Sequence, residues 1–195
     1  LQKLRPDHTL ILLDVMMGGM SGYKMAEVIR KDNNAVPIIF LTAKDTENDM
    51  LTGFSVGGDD FISKPFSIKE VTARVRAVLK RTGSAKKSGE LSEKPGNKLV
   101  FNDVTIDDDK KELIIGGKTI LLTRTEFEIV TLLASHPERI YEREEIIDHI
   151  WKDAPYITER TVDVHIGRLR KKLGDHASLI LSRPGYGYRF NDTGQ

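Results

Sequence analysis

The sequence predicts an α/β protein of two domains: a doubly wound parallel-sheet domain, then a winged helix-turn-helix domain. Three observations predict it. In the first half, short apolar runs alternate with helix-period stretches, the pattern of strands joined by crossover helices. In the second half, short strands give way to three helical stretches and a closing hairpin. Between the halves lies GSAKKSGELSEKPGN, residues 83–97, which has no aromatic or β-branched residue with which to build a core. The domains are therefore drawn as 1–82 and 98–192, with 83–97 as linker.

In the first half, Leu10 to Leu13 and Pro37 to Leu41 read as strands buried on both faces, and Phe61 to Ser63 as a shorter third. Gly22 to Lys31, Thr46 to Val56 and Ser67 to Lys80 read as helices; Val71, Val75, Val78 and Leu79 mark the buried stripe of the last. In the second half, Leu99 to Ile106 and Glu112 to Leu122 read as antiparallel strands, the latter turning at Gly116-Gly117. Helices are expected near Thr125–Ala134, Glu142–Trp151 and Thr158–Leu173. The final hairpin pairs Leu179–Leu181 with Tyr186–Phe190. Trp151 is expected to close the core behind the second of these helices.

Composition narrows the function classes. The chain has no cysteine, which excludes disulfides, thiolate catalysis and cysteine zinc sites. Its formal net charge is +1, so a nucleic-acid surface has to be a local patch. No apolar run approaches the roughly 20 residues that span a bilayer, and no secretory leader pattern opens the chain, so a cytoplasmic protein is expected. Leu1 stands where a start methionine is expected, which points to sequence ahead of it.

Two constellations carry chemistry. Asp14 follows LILL, Thr42 follows PIIFL and Lys64 follows FIS. In an open parallel sheet, ligands bind beyond the carboxyl ends of the strands, so an acid, a hydroxyl and an ammonium converge there. That set suits phosphoryl transfer to Asp14, with Lys64 offsetting developing charge and Thr42 donating to a phosphoryl oxygen. Singly, each residue also has an ordinary role as turn cap, strand end or solvated charge; the case rests on the three together. The second constellation is the last helix. Val162, Ile166, Leu169 and Leu173 form a buried stripe, and Thr161, His165, Arg168 and Lys172 repeat its spacing on a neighbouring face, with Arg160 and Lys171 close by. Such a face can enter a major groove, and a hairpin with Arg183 at its tip can serve as a wing.

LLDVMMGGMSGY, PIIFLTAK and GGDDFISKPFS resemble the signature segments of receiver domains, which are flavodoxin-like. LLTRTEFEIVTLLASHPERIYEREEIIDHIW, ERTVDVHIGRLRKKLG and SRPGYGYRF are similar to the OmpR/PhoB winged-helix effector. The chain thus resembles a two-component response regulator, a transcription regulator rather than an enzyme. By that resemblance Asp14 accepts a phosphoryl group from a sensor histidine kinase, Thr42, Lys64 and Phe61 form the switch, and the Lys64–Pro65 bond is cis. Mg2+ is implied, held by Asp14 and the Met16 carbonyl together with an acidic pair. There is no room before Asp14 for the first strand that carries this pair, so the receiver is expected to be incomplete at its start.

The resemblance further implies double-stranded DNA at Arg160, Thr161, His165, Arg168 and Arg170, and a phosphate contact at Ser182. It implies a homodimer through Asp59, Asp60, Glu70, Arg74 and Arg81, and RNA polymerase at the loop Lys152–Ile157. Three departures stand out: Gly18 replaces a proline, Met50 replaces the basic partner of Glu70, and Pro184 replaces the wing arginine, displacing Arg183 by one position. Two other readings are a phosphorylation-independent regulator whose receiver only dimerises, and an aspartate-nucleophile phosphatase. Met16, where the latter would carry its acid/base aspartate, speaks against the phosphatase.

Overall fold

A computed structural model describes residues 9–32, 36–43, 46–83, 98–152 and 157–192, with the side chains of 80–83 excepted. The chain divides into two compact units, Leu1–Leu91 and Ser92–Gln195. Most of the expected linker lies outside the described residues.

The first unit is a three-stranded parallel sheet of order β1-β2-β3, formed by β1 (Ile11–Asp14), β2 (Ile38–Thr42) and β3 (Asp60–Ser63). Helices α1 (Gly22–Asp32), α2 (Glu47–Val56) and α3 (Ile68–Gly83) connect and follow the strands. Ile38, Ile39 and Phe40 are wholly buried, as the unbroken apolar run of a strand covered on both faces requires. Val71, Val75 and Val78 of α3 pack on Ile39 and Ile62, the stripe read from the sequence. Thr46 begins α2 by accepting the Asp49 amide at 3.2 Å. The strands reach one residue further than their apolar runs, so Asp14 and Thr42 are the last strand residues rather than the first of a loop.

In the second unit, β4 (Lys98–Phe101), β5 (Val104–Asp107), β6 (Glu112–Ile115) and β7 (Lys118–Ile120) form an antiparallel sheet in chain order. The expected first strand is cut in two at Asn102, whose φ of 48° turns the chain, a conformation asparagine tolerates. Helices α4 (Arg124–Ser135), α5 (Arg143–Ile150) and α6 (Glu159–Leu173) follow, then a 3-10 turn and the hairpin β8 (Ile180–Arg183) and β9 (Gly187–Phe190). One core joins the sheet, the three helices and the hairpin, and Trp151 lies inside it, 1% exposed. Tyr141 pairs with Tyr188 as a short extra strand on β9, with amide–carbonyl distances of 2.8 and 3.0 Å. Gly187 makes that pairing possible: its φ is +148°, and a Cβ there would lie 2.1 Å from the Tyr141 carbonyl oxygen. Among the described residues no helix is long and apolar enough to cross a membrane.

Candidate phosphoacceptor site and nucleic-acid interface

The parallel register sets Asp14 beside Leu41 and Thr42 beside Ser63, so the three strands end together. Lys64 follows β3 and is tied to the end of β2 by its amide, which donates to the Thr42 carbonyl at 2.7 Å. Its ammonium then reaches Asp14 Oδ2 in an ion pair. The Met16 amide donates to Asp14 Oδ1 at 2.9 Å. The Lys64–Pro65 peptide is cis. About a third of each side chain in this pair stays open to solvent, 32% for Asp14 and 36% for Lys64, while Thr42 is wholly buried.

The hydrogen bond from Lys64, followed by that from the Met16 amide, holds the Asp14 carboxyl below the ordinary aspartate range. The Asp14 carboxyl is therefore ionised throughout the neutral range. The contact stabilises the fold above the unfolded carboxyl value, about 3.9, and that contribution is lost as pH falls through the lower folded value. In Lys64→Ala, an NMR titration of the Asp14 carboxyl should show its midpoint rising toward the ordinary value. An unmoved midpoint would mean that Lys64 does not set this charge.

Phe61 lies inward, 2% exposed, with its ring centre 5.2 Å from that of Phe40 and 5.0 Å from that of Phe54. It rests against Gly53 of α2, where a Cβ would fall 2.0 Å from the ring tip. Receiver domains generally bind Mg2+ at the phosphorylation site. The described residues do not by themselves make such a site. Asp14 offers one carboxylate with both oxygens engaged, and no group of three metal-ligating side chains occurs among the described residues.

The residues expected at a dimer interface make ion pairs within the chain. Asp59 is buried and pairs within the chain with Arg30 at 2.8 Å. Asp60 is buried against Arg74 at 3.2 Å, and Arg74 lies 3.8 Å from Glu70. Asp59, Asp60 and Arg74 are buried, whereas the Glu70 side chain is 37% exposed. The side chain of Arg81 lies outside the described residues.

The recognition helix also turns differently from the expectation. Val162, Ile166, Leu169 and Leu173 are buried, as the stripe requires. Thr161 and His165, however, are buried too, at 2% and 0% exposure. Thr161 Oγ1 accepts the Thr158 amide at 3.4 Å, and the His165 ring packs on Trp151 with centres 5.2 Å apart. Arg168 and Lys172 reach the buried carboxylate of Glu126, at 3.2 and 2.5 Å. The face that looks outward carries Arg160, Gly167 and Lys171, with Val164 half-buried among them. Arg170 spans from α6 to the hairpin, donating to the Ile180 carbonyl at 3.1 and 2.7 Å and to Ser182 Oγ at 2.9 Å. Ser182, Arg183 and Tyr186 are exposed along the hairpin. Arginine, lysine and hydroxyl groups on a helix and an adjoining hairpin suit phosphate and base-edge contacts.

Residues 1–76 match the family described as response regulator receiver domain, and residues 117–190 the family described as transcriptional regulatory protein, C terminal. The phosphate regulon transcriptional regulatory protein PhoB of Pseudomonas aeruginosa is 41% identical over 190 residues, covering 96% of this chain and 79% of that protein. The chain belongs to the OmpR/PhoB family of response regulators. The transcriptional regulatory protein RprY of Bacteroides fragilis is 39% identical over 187 residues, covering 95% of this chain and 77% of that one. A solved structure of a RitR mutant is 27% identical, with a TM-score of 0.67, and the match covers 95% of this chain and 80% of that one.

For an OmpR/PhoB-type regulator, the two units are a receiver and a winged-helix DNA-binding domain, and the family is one of two-component transcriptional regulators rather than an enzyme class. Two groups in the winged helix escaped the sequence reading. One is Glu126, although Thr-x-x-Glu ahead of an apolar run is a helix-start signature. The other is Asp163, which with Glu159 is one of two carboxylates on a largely basic helix and meets Arg143 and Tyr188.

Proposed function

We propose that Asp14 accepts a phosphoryl group from a sensor histidine kinase and that this modification switches binding of double-stranded DNA by a homodimer. The observation that carries the reading is the Lys64–Asp14 ion pair at the shared end of three parallel strands. In the transfer, an Asp14 carboxylate oxygen attacks phosphorus, the phosphorus–nitrogen bond to the donor histidine breaks, and the freed imidazole takes a proton. Lys64 balances charge on the phosphoryl oxygens. The product carries about −1.5 to −2 charge at neutral pH in place of the carboxylate's single negative charge. Pairing two winged helices then raises affinity through effective concentration.

On the DNA side, Arg160, Lys171, Arg170, Ser182 and Arg183 form the interface, with Arg168 and Lys172 held back by Glu126. RNA polymerase is the proposed partner of the loop between α5 and α6, whose residues 153–156 lie outside the described set. Mg2+ is the proposed metal of the receiver; of its implied ligands, Asp14 and the Met16 backbone are among the described residues. The cytoplasm is the proposed location, where kinase, DNA and polymerase are all within reach.

Treating the chain with a small-molecule phosphodonor in Mg2+ buffer should add one phosphoryl group by intact mass, and Asp14→Asn should abolish the gain. No gain would fit the absent acidic pair, and only the same result on the gene's full reading frame would make the regulator independent of phosphorylation. Arg160→Ala and Arg183→Ala should each weaken DNA binding and reduce the salt slope by about 1 where a phosphate contact is lost. An unchanged slope in both would place the DNA surface elsewhere.

A further inference from the structure

A carboxylate on a DNA-facing helix repels the phosphates it approaches, yet Asp163 sits on the flank of the outward face of α6 with 43% of its side chain exposed. Its surroundings account for it. Asp163 Oδ1 accepts from Arg143 Nε of α5 at 2.7 Å and from the Tyr188 hydroxyl of β9 at 2.6 Å. The Arg143 guanidinium lies 5.0 Å from the centre of the Tyr188 ring, and that of Arg170 lies 5.7 Å from it. Burial, and then the bond to Asp163, pushes the Tyr188 phenol upward, so at neutral pH it is the donor. One carboxylate oxygen thus gathers α5, α6 and the wing strand. Arg170 makes the other tie between α6 and the wing, through Ile180 and Ser182.

We infer that Asp163 is a positioning residue: through Tyr188 and Arg143 it fastens the wing to the recognition helix, fixing the separation at which both meet one duplex. This rests on the DNA-binding reading above. The tie to Arg143, which also lies 4.0 Å from Glu159, offsets much of the Asp163 charge and so limits how far it weakens the attraction of Arg160 for phosphate. A wing released from this point still carries its cations, so general attraction to DNA persists while the fixed geometry that specific sites demand is lost.

The test uses the full chain and two probes: a duplex enriched from a random library by the wild-type protein, and a random-sequence duplex. Tyr188→Phe keeps the ring and all charges. It should bind the enriched duplex about tenfold or more weakly, the range expected for losing a hydrogen bond to a charged group. Its affinity for the random duplex and its thermal midpoint, followed by Trp151 fluorescence, should stay near wild type. Asp163→Ala should weaken the enriched complex similarly but tighten the random one, because a negative charge has left the surface. The double variant should lose no more on the enriched duplex than the worse single one. Equal losses on both probes, tracking a lowered midpoint, would reduce Asp163 to a structural role and overturn the inference. If Arg160→Ala and Arg183→Ala weaken binding while Tyr188→Phe binds the enriched duplex as wild type, the fastening alone fails. If none of these variants differs from wild type, the DNA surface itself is wrong and the inference falls with it.

Discussion

Asp59→Ala should destabilise the receiver by about 3–5 kcal/mol, the cost of leaving a buried charge without its partner. The Asp59 and Arg30 side chains are 6% and 8% exposed and meet at 2.8 Å. Arg30 also donates to the Gly57 carbonyl at 3.0 and 2.6 Å and to the Val36 carbonyl at 2.5 Å, so it joins the end of α1 to the end of α2 and the entry to β2. Asp59 in turn accepts the Ile38 amide at 3.0 Å. Removing the carboxylate strips both a counter-charge and an acceptor from this junction. Water cannot replace them cheaply in so closed a place.

The measurement has to be local, because two units need not unfold together and a single midpoint would mix them. The chain's one tryptophan, Trp151, reports only on the second unit. Amide exchange at Ile39 and Phe40 reports on the first, and it should accelerate in proportion to the lost stability. A change under about 0.5 kcal/mol, the usual range for surface substitutions, would mean that the pair behaves as though solvated. Asp59 would then be open again to a role between protomers.

How much of this was readable beforehand depends on what each feature requires. Strands buried on both faces and the α6 stripe are local patterns, and both stand where periodicity put them. The meeting of Asp14 and Lys64 followed from strand ends and the rule for parallel sheets. The outward face of α6 was not readable. Thr161, His165, Arg168 and Lys172 recur at spacings of four, three and four, and so do Arg160, Val164, Gly167 and Lys171. Periodicity yields both stripes and cannot tell which one packs. Trp151 and Glu126, distant in sequence, decide it by taking His165, Arg168 and Lys172 to their side. Asp59 and Asp60 posed the same difficulty: a charge is equally visible in sequence whether its partner is Arg30 of the same chain or an arginine of another. The fold supplies the partners inside the chain, Arg30 and Arg74.

Glu126→Ala should lower the stability of the winged helix by about 3 kcal/mol, combining loss of a helix cap with loss of a buried counter-charge. Glu126 is wholly buried, accepts from the Thr123 amide and Lys172, and faces Arg168 as an ion pair. The Thr123 amide donates to its Oε2 at 2.8 Å, closing the capping box that starts α4. Arg168 and Lys172 of α6 reach its two oxygens. For a domain of this size the thermal midpoint should fall by about 10 °C or more, read by Trp151 fluorescence. Glu126→Gln keeps an acceptor for the cap but removes the charge, so its loss should be smaller than that of alanine. Equal losses would assign the whole effect to the lost charge. The same substitution bears on DNA. With the carboxylate gone, two cations on α6 no longer face a buried negative charge, and a polyanion can recruit them. Binding to a random duplex should therefore tighten at low salt even as the fold weakens, with a salt slope steeper by up to about 2. A slope unchanged in Glu126→Ala would show that Arg168 and Lys172 stay out of reach of DNA even without it, confining the interface to Arg160, Lys171 and the wing.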